Sequence, residues 1–264
     1  MKKYELTSET KVINGLELHR IKAIESFGNI YEGDLGGWIE SEKNLSQDGD
    51  AWVCRHAIVY DNARVYDNAM ISGNAVVRGN AVVRRNAVVG ENAVVSGNAM
   101  ISGNAIVSGN IVVCGNAVVR RNAKVGGNAW VYDNATISGT VVVSENATVC
   151  ENAKVGGNAT VDGNARIGGD ACVYDNAKVG GNAEVSGNAV VGESADYIVF
   201  KNWWSSCRYF TWTRSNNKWK VGCFYGSGEE LITKAYKDSE KSGREYERVV
   251  KYVESIMEEE NNNK

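Results

Sequence analysis

Between Asp50 and Val191 apolar and polar positions recur on a strict six-residue beat of the form Asn-Ala-x-Val-x-Gly, with no insertion or deletion. The Val slot, from Val53 to Val191, holds Val or Ile in all 24 hexads. The slot two residues earlier is Ala in 22 of the 24, Ile111 and Val141 being the exceptions. Residues two apart on an extended strand point to the same side. A small residue paired with a branched one at every step therefore predicts a continuous interior lining. The residue before each Ala is Asn except at Asp50, His56, Thr140 and Asp170. Gly, Asp and Asn after each strand tolerate the positive φ of a sharp corner. Three corners close an 18-residue triangular coil, so the hexads make eight coils, stacked at the ~4.8 Å spacing of paired strands. Asn side chains at equivalent corners are placed to stack as amide columns.

The flanks read differently. Residues 1–47 carry Asn14-Gly15 between two apolar-polar runs, a hairpin turn, and are expected to cap the open end of the stack. Residues 48–197 are the solenoid, and residues 198–264 a separate module. A hairpin around Asn216-Asn217 is predicted to pair Arg214 with Trp219, Trp212 with Val221 and Phe210 with Cys223. That register puts Phe210, Trp212, Trp219, Val221, Cys223 and Tyr225 on one face. Two helices follow, opened by the capping boxes Ser227-x-x-Glu230 and Ser242-x-x-Glu245. The second carries Tyr246, Val249, Val250, Val253, Ile256 and Met257 at helical spacing, completing a ββαα module.

The Val-x-x-x-Ala-x phase, as in Val53, Ala57 and Val59, resembles the hexapeptide repeat of left-handed parallel β-helix proteins over about 144 of 264 residues. The resemblance implies the fold, a mainly β chain built as a left-handed parallel β-helix, and implies its hand. It leaves function open, because the same repeat carries acyltransferases, carbonic anhydrases and non-catalytic proteins. The stretch Gly33-Asp34-Leu35-Gly36-Gly37-Trp38-Ile39-Glu40 is similar to uncharacterised hexapeptide-repeat proteins of bacteria and prophages, some described as acetyltransferases. Arg208 to Asn217, continued by Gly222 to Gly226, resembles a module in phage-related proteins of gut Firmicutes. These two resemblances imply a phage or prophage origin.

Composition narrows the chemistry. Lys+Arg 29 against Asp+Glu 32 gives a net charge of -3, unlike a general nucleic-acid binder. No proline occurs, where ~5% usage gives about 13, as expected of strands paired on both sides. Six cysteines are too few for a disulfide scaffold, and no stretch approaches 18 apolar residues. The first residues lack the apolar core of a signal peptide, so the cytoplasm of a bacterial host cell is the expected location, with no membrane contact. Family acyltransferases use a His as general base, and here His56 is the candidate, with His19 assigned to the cap. Two histidines fall short of a three-His zinc site. Cys114 and Cys150 share a corner two coils apart, beyond disulfide reach. Asp133 and Glu151 share a corner in adjacent coils, where two carboxylates could hold a cation but read better as solvated. No cofactor and no metal are expected.

Binding is the stronger reading. The outward residue between each Ala and Val is apolar through the first four or five coils and turns polar afterwards. Ile58, Val76, Val94, Val112 and Trp130 follow one side, Met70, Val88 and Ile106 a second, and Val82, Met100 and Val118 the third. An apolar exterior of this extent predicts a protein interface. Arg84-Arg85 and Arg120-Arg121 recur at one corner with Arg78 on a neighbouring edge, a candidate anion site. The expected function is a non-enzymatic, oligomeric scaffold, a trimer by the family's habit, that occludes a host or phage protein, with anti-defence inhibition as its use. The alternatives are an acetyl-CoA-type acyltransferase using His56, and nucleic-acid binding through the Arg corner and the hairpin with Arg208, Arg214, Lys218 and Lys220.

Overall fold

The computed structural model describes residues 2–262. Strands of two or four residues at each inward Val stack in parallel, each residue pairing with the one 18 positions on, as in Val94 with Val112 and Met100 with Val118. Three columns result. Side A runs through Ile58–Val59, Val76–Val77 and onward to Glu184–Val185; side B from Trp52–Val53 to Lys178–Val179; side C from Arg64–Val65 to Val190–Val191. The chain turns from B to A to C within a coil and then returns to B one coil higher. Every inward Ala, Val and Ile of the repeat is buried to within 2% of full exclusion from solvent. Removing a Val side chain from water stabilises by ~1.5–3 kcal/mol, so a column repeated three ways holds the prism without any large residue.

The corner chemistry follows the sequence. The residue before each Asn takes a left-handed conformation, whether it is Gly97 (φ 68), Asp133 (φ 57) or Arg121 (φ 66). The Asn amides form the columns expected of them: Asn80 Nδ2 donates to Asn98 Oδ1 at 3.0 Å, Asn98 to Asn116 at 2.9 Å, and the run ends where Asn152 donates to Asp170 at 3.0 Å. Asp at that last position accepts and cannot pass the bond on.

The stack is longer than eight coils. Strand β3 (Leu35–Ile39) lies parallel to Ile58–Val59, and Leu45 bridges Val65, so Ile39 and Leu45 begin a further turn. Both are fully buried. The two stand six apart like the repeat, but eight residues separate Leu45 from Val53, and this two-residue excess hides the turn from the hexad pattern. The solenoid therefore has about nine turns. Strands β1 (Tyr4–Ile13) and β2 (Leu16–Ala23) form the expected hairpin at Asn14-Gly15, and β2 extends the side A sheet antiparallel to β3. They bring hydrogen-bond donors to the carbonyls left over at this end: Lys3 Nζ to Gly49 and Ala51 O at 2.8 Å each, and Tyr4 Oη to Leu45 O at 2.7 Å.

The opposite end needs acceptors, and the C-terminal module supplies them. Thr211 Oγ1 accepts from the Glu184 N–H at 2.8 Å and Ser215 Oγ from the Val190 N–H at 2.7 Å. The module holds a four-stranded antiparallel sheet rather than a lone hairpin: Tyr197–Lys201, Tyr209–Thr213, Lys218–Val221 and Phe224–Gly226. Its register also differs from the expected one. Trp212 pairs with Trp219 and Thr213 with Lys218, because the turn spans Arg214 to Asn217, with Asn217 left-handed at φ 47. Phe224 thereby joins Phe210, Trp212, Trp219 and Val221 against the helices, while Tyr225 faces the solenoid and covers Gly187. Helix α1 (Gly228–Asp238) has the Ser227/Glu230 box, with bonds of 3.2 and 2.7 Å. Helix α2 (Glu240–Asn262) is opened by Ser239, whose Oγ accepts from the Ser242 N–H at 3.1 Å. Ser242 is thus inside the helix and buried, not its cap.

Candidate functional site

The Ala-x-Val strands leave the corner residue after each Val free to vary, and the three edges use that freedom differently. The edge between sides C and B carries Tyr66, Arg84, Ser102, Arg120, Ser138, Gly156 and Tyr174 in successive coils. Long side chains beside short ones make depressions, and three follow one another here. One lies among Ser46, Gly49 and Tyr66, and a last one among Ser138, Gly156 and Tyr174. Between them a recess of about 390 Å³ is lined by Arg84, Arg85, Met100, Ser102, Gly103, Val118, Arg120 and Arg121.

Four of the five sequence-predicted arginines are brought together there. Arg78 is not: it is exposed on the A/C edge. Ser102 and Gly103, which form the floor, were not anticipated; the signal for them is a short residue at the coil between two Arg-Arg corners, and Met100, expected on the outward apolar face, lines the recess beside them. Arg120 Nε donates to Ser138 Oγ at 3.2 Å, and the nearest acidic neighbour on the edge, Asp67, is spent on the Arg85 backbone N–H at 3.1 Å.

The B/A edge is the reverse. Its corner residues are Cys54, Ser72, Gly90, Ser108, Gly126, Ser144, Asp162 and Gly180, all short. Around Gly126 the strands on both sides present three exposed large apolar side chains: Trp130 on side A at 51%, and Ile106 and Val142 on side B at 40% and 38%; Tyr174, on the C/B edge, stands alone at 40%. The other apolar outward residues, Ile58, Met70, Val76, Val82, Val88, Val94, Met100, Val112 and Val118, are half-buried, shielded by their stacked neighbours one coil above and below. Trp52, at the start of side B, is buried by the folded-back N-terminal segment, with Phe27 and Tyr4 edge-on at 5.5 and 6.4 Å.

His56 is exposed on the B/A edge of the first full coil. His19 stands on β2, paired with Thr10 and Ile39 in the sheet. The Asp133 carboxylate accepts from the Glu151 N–H at 3.3 Å, and Glu151 accepts from the Gly169 N–H at 2.5 Å and faces Arg166 at 3.7 Å. The two acids are thus used as corner acceptors in series. Among the described residues no three His, Cys, Asp or Glu side chains converge on a common point. All six cysteines are free, and burial pushes the Cys54, Cys114 and Cys150 thiols up, away from the reactive thiolate.

The C-terminal hairpin offers no stacking platform on the expected face, since Phe210, Trp212 and Trp219 are buried against the helices. Arg214 is held by Glu260 and Asp196, and Lys220 reaches Glu184 at 3.3 Å. Among the described residues the rings the module does expose are Trp203, Tyr209, Tyr225, Tyr236 and Tyr252. Among the described residues no helix is long and apolar enough to cross a membrane.

The family described as the YdcK β-solenoid repeat matches residues 63–79, 93–109 and 99–115. An uncharacterised acetyltransferase of Escherichia coli K12, YdcK, is 33% identical over 72 residues, which cover 24% of this chain and 22% of that protein. The chain thus matches about a fifth of the length of that curated relative. Among solved structures, a Bacillus cereus protein provisionally named an acetyltransferase is 14% identical with a TM-score of 0.44, covering 72% of this chain and 99% of its own. The UDP-N-acetylglucosamine acyltransferase of Campylobacter jejuni is 12% identical with a TM-score of 0.25, covering 57% and 71%. These relatives are bacterial and add nothing to the expected phage origin.

Proposed function

We propose, with the shared β-solenoid repeat as premise, that this chain is a self-associating binding protein in which the B/A edge joins copies and the C/B edge faces outward. One observation carries the reading: Trp130, Ile106 and Val142 are exposed around Gly126, on the edge with the shortest corner residues. Small residues let two backbones approach closely, and exposed large apolar side chains supply the area that makes approach favourable. Sedimentation of the pure protein tests it. A trimer or other closed oligomer that Trp130→Asp converts to monomer is expected; a monomer at tens of micromolar would sink the reading and leave this edge to a different protein, as in the expected occlusion of a host or phage macromolecule.

The second reading is acyl transfer, favoured by the acetyltransferase name of the Escherichia coli relative and by the placement of His56. His56 lies exposed on the same B/A edge, so self-association would bring it into a cleft between copies, where a base could act on a bound acceptor. Saturable acetyl-CoA binding together with acetyl transfer abolished by His56→Ala would establish it.

A further inference from the structure

We propose that the recess between the Arg84-Arg85 and Arg120-Arg121 corners binds a small ligand carrying two phosphoryl groups, a diphosphate. The proposal does not depend on self-association, which is proposed for the B/A edge.

Four observations converge on it. First, the two Arg pairs sit 36 residues apart, two coils or ~9–10 Å along the axis, and the intervening coil drops to Ser102-Gly103. The recess they flank, about 390 Å³, falls in the ~300–1,000 Å³ range of small-ligand sites. Second, none of the four guanidinium groups has a carboxylate partner among the described residues; Arg55, Arg64, Arg78 and Arg208 share that, but only Arg84, Arg85, Arg120 and Arg121 lie together around one recess. Four uncompensated cations at one corner repel one another, and an anion between them relieves that repulsion. Third, Arg84 Nε is buried with no hydrogen-bond partner, and Arg84 Nη2 meets only the weak acceptor Met100 Sδ at 3.7 Å. Buried guanidinium donors are ordinarily satisfied, so a donor left over at the wall of a recess marks where an acceptor belongs. Fourth, Arg85 and Arg121 hold left-handed conformations at φ 61 and 66, which Gly adopts without strain at equivalent corners such as Gly103 and Gly115. Arg occurs there in spite of its backbone, which points to its side chain.

The number of phosphoryl groups follows from the repeat. Each corner offers two planar forks suited to the tetrahedral oxygens of one phosphoryl group, and there are two corners. Four positive charges match the three to four negative charges of a diphosphate. The Ser102 hydroxyl, nearly buried on the floor between the pairs, is placed for the bridging region.

Calorimetric titration of the full chain with inorganic pyrophosphate, ADP and inorganic phosphate tests the assignment, and the first two arms separate a free from a nucleoside-borne diphosphate. Saturable binding of one pyrophosphate or ADP per chain, at least tenfold tighter than inorganic phosphate, is expected. Arg84→Gln with Arg120→Gln should weaken it at least tenfold, and Ser102→Glu, which places a carboxylate on the floor, should do the same. Arg85→Gly with Arg121→Gly should lose binding while the melting temperature stays level or rises, which separates lost affinity from lost fold. Arg78→Gln, one edge away, should bind within twofold of the parent. Equal losses at Arg78 and in the recess, no saturable diphosphate binding, or an oligonucleotide bound through the same four residues in place of pyrophosphate would each overturn the proposal.

Discussion

The C/B and B/A edges run down one prism on one backbone and differ in little more than a single position per coil. Both turn through a left-handed residue, as at Gly103 (φ 77) and Gly109 (φ 125). Both carry Asn columns, the first interrupted at Thr140: Asn86 donates to Asn104 at 3.0 Å on one, and Asn92 to Asn110 at 2.9 Å on the other. Yet the first edge presents Arg84 and Arg120 around a recess, and the second presents Ser108 and Gly126 beside bare Trp130. Two residues stand between the inward Val and the outward Asn: the second turns the corner in a left-handed conformation, while the side chain of the first, as at Arg84 or Gly126, contributes nothing to closure. Chemistry can be written into that position without renegotiating the fold.

The contrast can be broken or sharpened in order of effect. Val113→Asp moves a charge from the edge to the lining, where it has no partner, and should cost ~3–5 kcal/mol in denaturant unfolding. A loss under 1 kcal/mol would mean the interior is not the closed column described. Gly126→Arg transplants one edge's side chain onto the other. A Cβ there meets only Ser108 O at 3.8 Å, so stability should hold while subunit affinity falls at least tenfold in a sedimentation series. If assembly survives, copies do not meet at this edge. Asn104→Ala and Asn110→Ala each interrupt one amide column and should cost ~1 kcal/mol, equal to within ~0.5 kcal/mol. Unequal costs would show that the two edges are not the same scaffold.

A further effect, read only against pH, concerns Lys3, which plugs the C/B corner below the first full coil. Burial, partly offset by Asp50, Asp48 and Glu25, pulls its ammonium from 10.5 down to about 8. The folded chain therefore gives up this proton before the unfolded chain does, and stability should rise between pH 8 and 10.5. Lys3→Met should flatten that rise in thermal melts across the interval.

The interior was plain in the sequence because Ala and Val two apart leave one geometric choice. The Arg recess was partly plain, since a 36-residue spacing is two coils, but its floor was not. Attention to strand-centre residues passes over short corner residues such as Ser102 and Gly126, whose effect is to be absent beside something large. The extra turn at Ile39 and Leu45 was lost to two surplus residues that shift the phase. The C-terminal register failed for a related reason: Asn216-Asn217 reads as a two-residue turn, but Asn217 closes a four-residue one, which exchanges Tyr225 for Phe224 on the packed face. The Ser242 box misled because Ser239, three residues earlier, meets the same geometric requirement.

Uninterrupted pairing at 18-residue intervals also makes the molecule a ruler. Excising any 18 consecutive residues between the recess and the C-terminal cap, Gly126 to Val143 for instance, rejoins Val125 to Ser144 in phase and shortens the rod by one graduation of ~4.8 Å. The distance from the Arg corner to either end is thus a quantity that duplication or loss of a coil can reset in fixed steps, with both end fittings unchanged.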